Sequence, residues 1–380
     1  MKTNDIELSS FEVNLGEVVY PLILGRDVIS QLPRLLCSIS NSQIVVIVAD
    51  LFLKELVEEK FESLLGDSER QVMTFFIDGG KSNKTIHEAL KVFGLLEDND
   101  ITRDSTIVAI GGGVIGDMAG FVASTWLRGM NLIHIPSTIM AMVDSSVGGK
   151  VAINFRNTTN GIGNYYHPRA TIMDLNFVDT LSNRDYRSGL AEVIKVALIH
   201  DAEFFNFLQE KSADVLARNE HELVKVIRRA IEIKIEHVCG DIKEDGKRLL
   251  LNYGHTLGHS IEMSTLIDGE DMFRHGEGVA IGMVAAGFIA VEHLGASKKD
   301  FNRLLEILTQ YSLPTFVNTK ELGINRNILI EQCLINVHKD KKRINNSLRV
   351  ILSRKIGEAA VFDNVPLALI ASAFEFVIRD

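Results

Sequence analysis

Through the first half of the chain, short apolar runs rich in β-branched residues are separated by polar breaks. Gln43 to Ala49, Val72 to Ile77, Ser105 to Ile110 and Asn131 to Ile135 are such runs, and each precedes a helical or glycine-rich segment. A near-continuous apolar strand is buried on both faces, and strands that alternate with helices build a parallel sheet covered on two sides. From about Tyr186 the period lengthens. Glu222 to His237 and Gly278 to His293 place apolar residues at helical spacing, with few strand signals before Leu348 to Leu352. The pattern predicts an α/β domain over residues 1–185 and a mostly α-helical domain over 186–380. No repeat, low-complexity tract or flexible linker interrupts them, so the two are expected to share a cleft suited to a ligand.

Composition supports two buried cores, since 46% of 380 residues are hydrophobic and 24% charged. The longest apolar run, Gly278 to Val291, is too short to span a bilayer and reads as a buried helix. A net charge of −10, with no stripe of Lys and Arg among aromatics, argues against nucleic-acid binding. An anionic substrate therefore needs a local cationic site. Cys37, Cys239 and Cys333 are too scattered for a disulfide framework and fit a reducing compartment. MKTNDIELSS carries no export pattern, so a cytoplasmic protein without a membrane segment is expected.

Candidate chemistry gathers in a few segments. NYGHTLGHSIE sets Asn252, His255 and His259 on one predicted helical face, and RHG adds His275 after a polar loop. Neutral imidazole is the commonest metal ligand, and Glu192 in GLAEVIK, one turn before Lys195, is the best carboxylate candidate. Two histidines and a carboxylate leave a divalent ion with open positions, as a catalytic zinc needs; histidines that merely cap or pack a helix are the alternative. After STIVAI come Gly111, Gly112, Gly113, Val114, Ile115, Gly116 and Asp117, then a helical AGFVAS. That is the context of a dinucleotide pyrophosphate loop, in which glycines admit the phosphates to a helix N-terminus. Asp50 ends an earlier strand, either to meet an adenosine ribose or as a solvated carboxylate. In DSSVGGK, Asp144 is placed to bridge cofactor and substrate and Lys150 to meet a phosphate, unless the segment is an ordinary loop. Lys234, Arg248 and Asn252 flank the histidine helix, and Lys341 and Lys342 lie in HKDKK. These cations suit a doubly anionic substrate, although a solvated face accounts equally for the last two lysines.

Together these segments closely resemble the 3-dehydroquinate synthases of the sugar-phosphate cyclase superfamily. GGGVIGDMAGF, Arg128–Gly129, DSSVGGKVAIN, GLAEVIK, LLNYGHTLGH and HGE occur in the family's order over nearly the whole chain. The resemblance implies a Rossmann-like NAD-binding domain, an α-helical domain holding zinc or cobalt, and a homodimer. It places the metal ligands on Glu192, His255 and His275. Cofactor contacts fall on Asp50, Gly80, Lys84, Gly113, Val114, Ile115, Gly116, Asp117, Ser137, Thr138, Asp144, Lys150, Thr159 and Thr180. Proton transfer and charge stabilisation fall on Asp144, Lys150, Lys195 and His259. Substrate contacts fall on Lys150, Asn160, Lys234, Arg248, Asn252, His259, Lys341 and Lys342, with Arg128 reaching the partner subunit's site and Lys234 and Arg248 at the substrate carboxylate. The implied reaction turns 3-deoxy-D-arabino-heptulosonate 7-phosphate into 3-dehydroquinate and phosphate in the shikimate route to aromatic amino acids. Hydride passes from C5 to NAD, phosphate is eliminated, hydride returns, and an intramolecular aldol closes the ring, so NAD is not consumed.

Three positions depart from the family's pattern. Thr158, Thr159 and Asn160 stand where GKN is usual, Gly80-Lys81-Ser82-Asn83-Lys84 where GExxK is usual, and Ser137-Thr138 where two threonines are usual. The missing lysine at 159 removes a charge-assisted contact of about 1.5–3 kcal/mol, which Lys81 offsets if it turns to a cofactor phosphate. Three alternatives are a related cyclase acting on another sugar phosphate such as sedoheptulose 7-phosphate, a metal-dependent polyol dehydrogenase, and a non-catalytic relative. A substrate without a carboxylate would leave the charges of Lys234 and Arg248 unmatched, which disfavours the first.

Overall fold

The computed structural model describes residues 9–66, 70–156, 158–267, 270–339, 343–344 and 347–380. Lys341 and Lys342, two of the expected substrate contacts, lie outside the described residues. The chain divides into two compact units, Met1–Leu181 with Val238–Lys243, and Ser182–His237 with Glu244–Asp380.

The first unit is built on a seven-stranded sheet. Its strands are β1 (Ser9–Asn14), β2 (Val19–Gly25), β3 (Ile44–Asp50), β4 (Gln71–Ile77), β5 (Thr106–Gly111), β6 (Asn131–Pro136) and, after a separate hairpin of β7 (Lys150–Phe155) and β8 (Thr158–Tyr165), β9 (Ala170–Asp174). They lie in the order β1-β2-β9-β6-β5-β3-β4. All neighbours are parallel except β1 and β2, which pair antiparallel at one edge. Periodicity identifies β3, β4, β5 and β6 but misses β1, β2 and β9. Polar residues fill most of β1, Pro21 interrupts β2, and β9 is only five residues long.

Alternation along the strands explains the layers. Val45, Ile47 and Ala49 join Val108 and Ile110 beneath α1 (Leu32–Ile39) and α2 (Lys54–Leu65). Val46 and Val48 join Ile107 and Ala109 on the opposite face, against α3 (Ile86–Asp98) and α4 (Gly113–Thr125). Successive side chains point to opposite faces, and here both faces are apolar. Because β3 has β4 on one side and β5 on the other, the chain reverses its winding there. The C-terminal ends of β3 and β5, Asp50 and Gly111, therefore flank a topological switch point, where open α/β sheets bind ligands.

After α5 (Asn176–Asp179), the second unit is mainly helical. It contains α6 (Asn183–His200), α7 (Ala202–Glu210), α8 (Ser212–Leu216), α9 (Glu220–Val238), α10 (His255–Ser264), α11 (His275–Leu294), α12 (Lys298–Gln310), α13 (Thr319–Leu322), α14 (Arg326–Lys339) and α15 (Leu367–Val377). A hairpin of Ser347–Lys355 and Glu358–Val365 adds the strand signal expected near Leu348. Helix α11 extends the apolar run of the sequence to 20 residues, enough by length and hydropathy to cross a membrane. Instead it is enclosed by α6, α10, α12, α15 and the Ser347–Lys355 strand, which suits a helix that is apolar all round.

One buried titratable group in the first unit links packing to pH. His134 on β6 is 5% exposed, and its ring lies 3.6 Å from where a Cβ on Gly116 would stand. Burial lowers its pKa from 6.5 to about 4. Between those values the unfolded chain binds a proton that the folded chain does not, so stability falls as pH drops from about 6.5 toward 4, by about 3 kcal/mol at full extent. Urea midpoints of the wild type should therefore fall more between pH 7 and pH 4.5 than those of His134→Gln. Equal acid sensitivity of the two proteins would refute this.

Candidate active site

Two groups of expected residues are built locally, one in each unit. In the first unit, Gly112 caps α4 without a side-chain hydrogen bond, so the N–H groups of the first turn face outward unclaimed by a capping side chain. Ser137 N donates to Gly111 O at 2.9 Å, and the Thr138 Cγ2 methyl lies 3.4 Å from where a Cβ on Gly112 would be. A Cβ on Gly113 would meet Ser145 Oγ at 3.1 Å. The start of the DSSVGGK segment belongs to a π-turn, Ala141–Ser145, which carries Asp144 and sets Ser145 against the glycine loop. Such turns recur at functional sites. Gly148 and Gly149 follow at φ 100 and 72, conformations that glycine adopts without strain, and they lead to Lys150, which is exposed at the start of β7.

Asp50 accepts a hydrogen bond from Phe52 N at 3.0 Å, and its carboxylate fills the place where a side chain on Gly79 would be. Burial, helped by Asp78, raises its pKa despite hydrogen bonds from Phe52 and Gly79. Gly80 begins the turn that ends at Lys84. Lys84, 7% exposed, places Nζ 2.5 Å from Asp117 Oδ2 and 2.5 Å from Asn160 Oδ1, joining the Gly80 turn to α4 and β8. Thr159 is exposed beside Asn160. Thr180, also exposed, donates to Phe177 O at 2.7 Å. Arg128 and Leu127 adopt left-handed φ of 68 and 46, which is uncommon for side chains of this kind.

In the second unit the metal candidates converge. Rings of His255, His259 and His275 lie 5.3 Å apart pairwise, and their nearest ligand atoms all fall within 4.8 Å of one another. Glu192 on α6 is 1% exposed. Its Oε1 stands 3.5 Å from His255 Nε2 and 3.7 Å from His275 Nε2. A tetrahedral ion with bonds near 2.1 Å separates its ligands by about 3.4 Å, so these three atoms outline one face of such a shell. Lys195 Nζ forms an ion pair with Glu192 Oε2, while Oε1 has no hydrogen-bond donor among the described residues. A buried carboxylate oxygen facing two imidazole nitrogens fits a divalent cation. His259 joins the histidine group but is exposed.

Glycines set these distances. A Cβ on Gly276 would fall 1.8 Å from Ser188 O of α6; on Gly258, 2.5 Å from Gly278 O of α11; on Gly282, 2.0 Å from Gly254 O. Helices α6, α10 and α11 thus touch backbone to backbone where the candidate ligands emerge. One expectation is corrected here. Asn252 does not share the histidines' helix, because Gly254 at φ 77 breaks the chain between a 3₁₀ turn, Lys247–Asn252, and α10. Asn252 instead donates to Glu244 Oε1 at 2.5 Å. Arg248 and Lys234 are 3% and 5% exposed, on that turn and on α9.

Glu262 escaped the sequence reading, although it stands three residues after His259 and seven after His255. Its Oε1 lies 3.1 Å from His275 Nδ1. Ser145 was also missed; no spacing rule announces it.

Comparison with known proteins fits this arrangement. Residues 74–188 match the 3-dehydroquinate synthase N-terminal family and residues 189–343 the 3-dehydroquinate synthase C-terminal family. The chain belongs to the 3-dehydroquinate synthase family. It is 38% identical over 357 residues to a 3-dehydroquinate synthase of Ruthia magnifica, covering 93% of this chain and 95% of the relative. It is 36% identical to that of Vibrio atlanticus, covering 96% and 98%. Among solved structures, 2-epi-5-epi-valiolone synthase from Streptomyces hygroscopicus, with NAD+ and Zn2+ bound, superposes with a TM-score of 0.82 at 27% identity, over 96% of this chain and 98% of that one. Membership makes the chain a lyase-type cyclase, and the expected two-part architecture is borne out.

The glycine contacts make opposite predictions for two alanines. Gly276→Ala should lower the melting temperature by several degrees, as expected for about 1–3 kcal/mol of overpacking against backbone. Gly94→Ala, on α3 with nothing within 4 Å of the new Cβ, should raise it slightly, by up to about 1 kcal/mol. Thermal unfolding of both variants checks the pair.

Proposed function

We propose that this chain converts 3-deoxy-D-arabino-heptulosonate 7-phosphate to 3-dehydroquinate and phosphate, as a step of the shikimate pathway, with NAD and a zinc or cobalt ion as cofactors. The observation that carries the reading is the Glu192–His255–His275 face, standing in a chain whose two halves both match this family. When bound, NAD supplies a reversible hydride acceptor and the metal a Lewis acid.

The residues divide the remaining work. Glu192 Oε1 and the two Nε2 atoms would hold the ion, and the Lys195 ammonium beside Glu192 Oε2 offsets the charge of a carboxylate buried among apolar helices. The first-turn N–H groups of α4, those of Gly113, Val114 and Ile115, are assigned to the cofactor pyrophosphate, with Gly116, whose own N–H donates to Gly112 O, keeping side chains away from it, and Asp50 to a ribose hydroxyl. Gly80, Ser137, Thr138, Thr159 and Thr180 are assigned to the rest of the cofactor, with Lys84 and Asp117 bracing its site. Asp144 and Lys150 orient the reacting end. Lys150 Nζ and His259 serve to stabilise charge and exchange protons, and the substrate's own phosphate acts as base in its elimination. Arg248 and Lys234 pair with the substrate carboxylate, and Asn160 and Asn252 complete the polar contacts.

Homodimerisation, with Arg128 entering the partner subunit's site, belongs to the same proposal. The left-handed backbone at Leu127 and Arg128 and the exposed strand β8, with Ile162 and Tyr165 at the surface, support it. A cytoplasmic location accords with three free cysteines, two of them exposed.

Purified protein given NAD, a divalent metal and the heptulosonate should release phosphate without net NADH. NADH build-up would favour a dehydrogenase, and inertness a non-catalytic relative. His275→Ala should abolish turnover while leaving the circular dichroism spectrum unchanged; a near-normal rate would overturn the ligand assignment. Mixing two inactive proteins, Arg128→Ala and Lys195→Met, through unfolding and reassembly should restore about a quarter of wild-type activity, because half the dimers then hold one complete site. No recovery would refute the shared site.

A further inference from the structure

The two imidazoles that face Glu192 are held from behind in different ways. His255 Nδ1 lies 3.2 Å from the backbone carbonyl of Tyr253, whereas His275 Nδ1 lies 3.1 Å from the side chain of Glu262. The two nitrogens of an imidazole point to opposite sides of the ring. An acceptor that binds N–H at Nδ1 therefore fixes the tautomer whose Nε2 lone pair faces the other way. For His275 that direction is toward Glu192, where Nε2 lies 3.7 Å from Oε1.

Glu262 is placed for this with little freedom. It is 8% exposed on α10, and the space it occupies exists because residue 278 on α11 has no side chain: a Cβ there would stand 2.5 Å from both Cγ and Oε1 of Glu262. His275 lies on α11 and Glu262 on α10, so their contact also locks the two helices in register at the ligand end.

We infer that Glu262 is a positioning residue for the metal centre: its carboxylate accepts the Nδ1 proton of His275, sets that ring's tautomer and orientation, and strengthens Nε2 as a donor. The inference rests on the metal reading given above and adds a residue outside the ligand set. Gly278 has a defined part in it, since it keeps the place that the carboxylate fills.

Co2+ titration of the full-length protein, followed by its visible absorption, tests this without turnover. Glu262→Ala should raise the Co2+ dissociation constant about 10–100-fold and alter the absorption bands, and Glu262→Gln, which keeps an acceptor but loses the charge, should fall between it and the wild type. Gly278→Ala retains Glu262 but pushes its flexible end aside, so it should bind as weakly as Glu262→Ala. Melting curves of the metal-free proteins establish that each is folded; if Glu262→Ala is not, the other two variants decide. Folded Glu262 and Gly278 variants with wild-type affinity and absorption would overturn the inference. Glu192→Ala separates the two levels. If it too binds Co2+ like the wild type, the metal reading falls with the inference; if it loses Co2+ while the Glu262 variants do not, only the inference falls.

Discussion

A carboxylate is held almost fully out of water at Glu192, in the middle of a helix whose neighbouring residues are apolar and buried. Taking an ion from water into such surroundings costs several kcal/mol unless opposite charge and hydrogen bonds meet it. Lys195 answers one oxygen, and the imidazoles of His255 and His275 surround the other. The second unit is organised to make that arrangement possible. Helices α6, α10 and α11 approach until backbones touch at Gly254, Gly258, Gly276 and Gly282, and closer contact than side chains permit is what brings Glu192, His255 and His275 from three helices to one point.

The first unit presents a different arrangement, an open helix N-terminus without a deep pocket of charged side chains, to which the proposed function assigns the long anionic cofactor. It uses backbone instead. A parallel sheet places the ends of β3 and β5 side by side, the glycines after β5 open the N-terminus of α4, and the π-turn and the Ser137–Thr138 segment close around the same loop. Helix N-termini and the switch point of an open sheet suit an anion by topology, so few specific side chains are needed for such a site. Asp50 and the Lys84–Asp117–Asn160 network add the polar contacts that fix the edges.

Of the three departures from the pattern that the resemblance implies, Ser137 packs on the glycine loop itself, and Thr159 and Lys81 fall at the edge of this arrangement. Thr159 is exposed on β8 and Lys81 opens the turn that ends at Lys84. The buried ammonium of Lys84, within reach of Asn160, leaves a cation beside the strand that lacks the usual lysine.

Local chemistry was legible in the residues themselves. Apolar runs of strand length located β3, β4, β5 and β6, a glycine cluster after a strand marked the turn from β5 into the N-terminus of α4, and the four-residue spacing of His255 and His259 put both rings on one side of a helix, because these signals are carried by near neighbours in the chain. What required the folded molecule was every relation set by packing between distant segments. That Gly254 separates Asn252 from the histidine helix depends on its left-handed φ against α11, that β2 and β9 complete the sheet depends on pairing across most of the unit, and that Glu262 stands behind His275 depends on the space left at Gly278. Periodicity says which face of an element is apolar; only the meeting of two such faces decides which polar group is enclosed between them, and there the geometry of Glu192, His255 and His275 was determined.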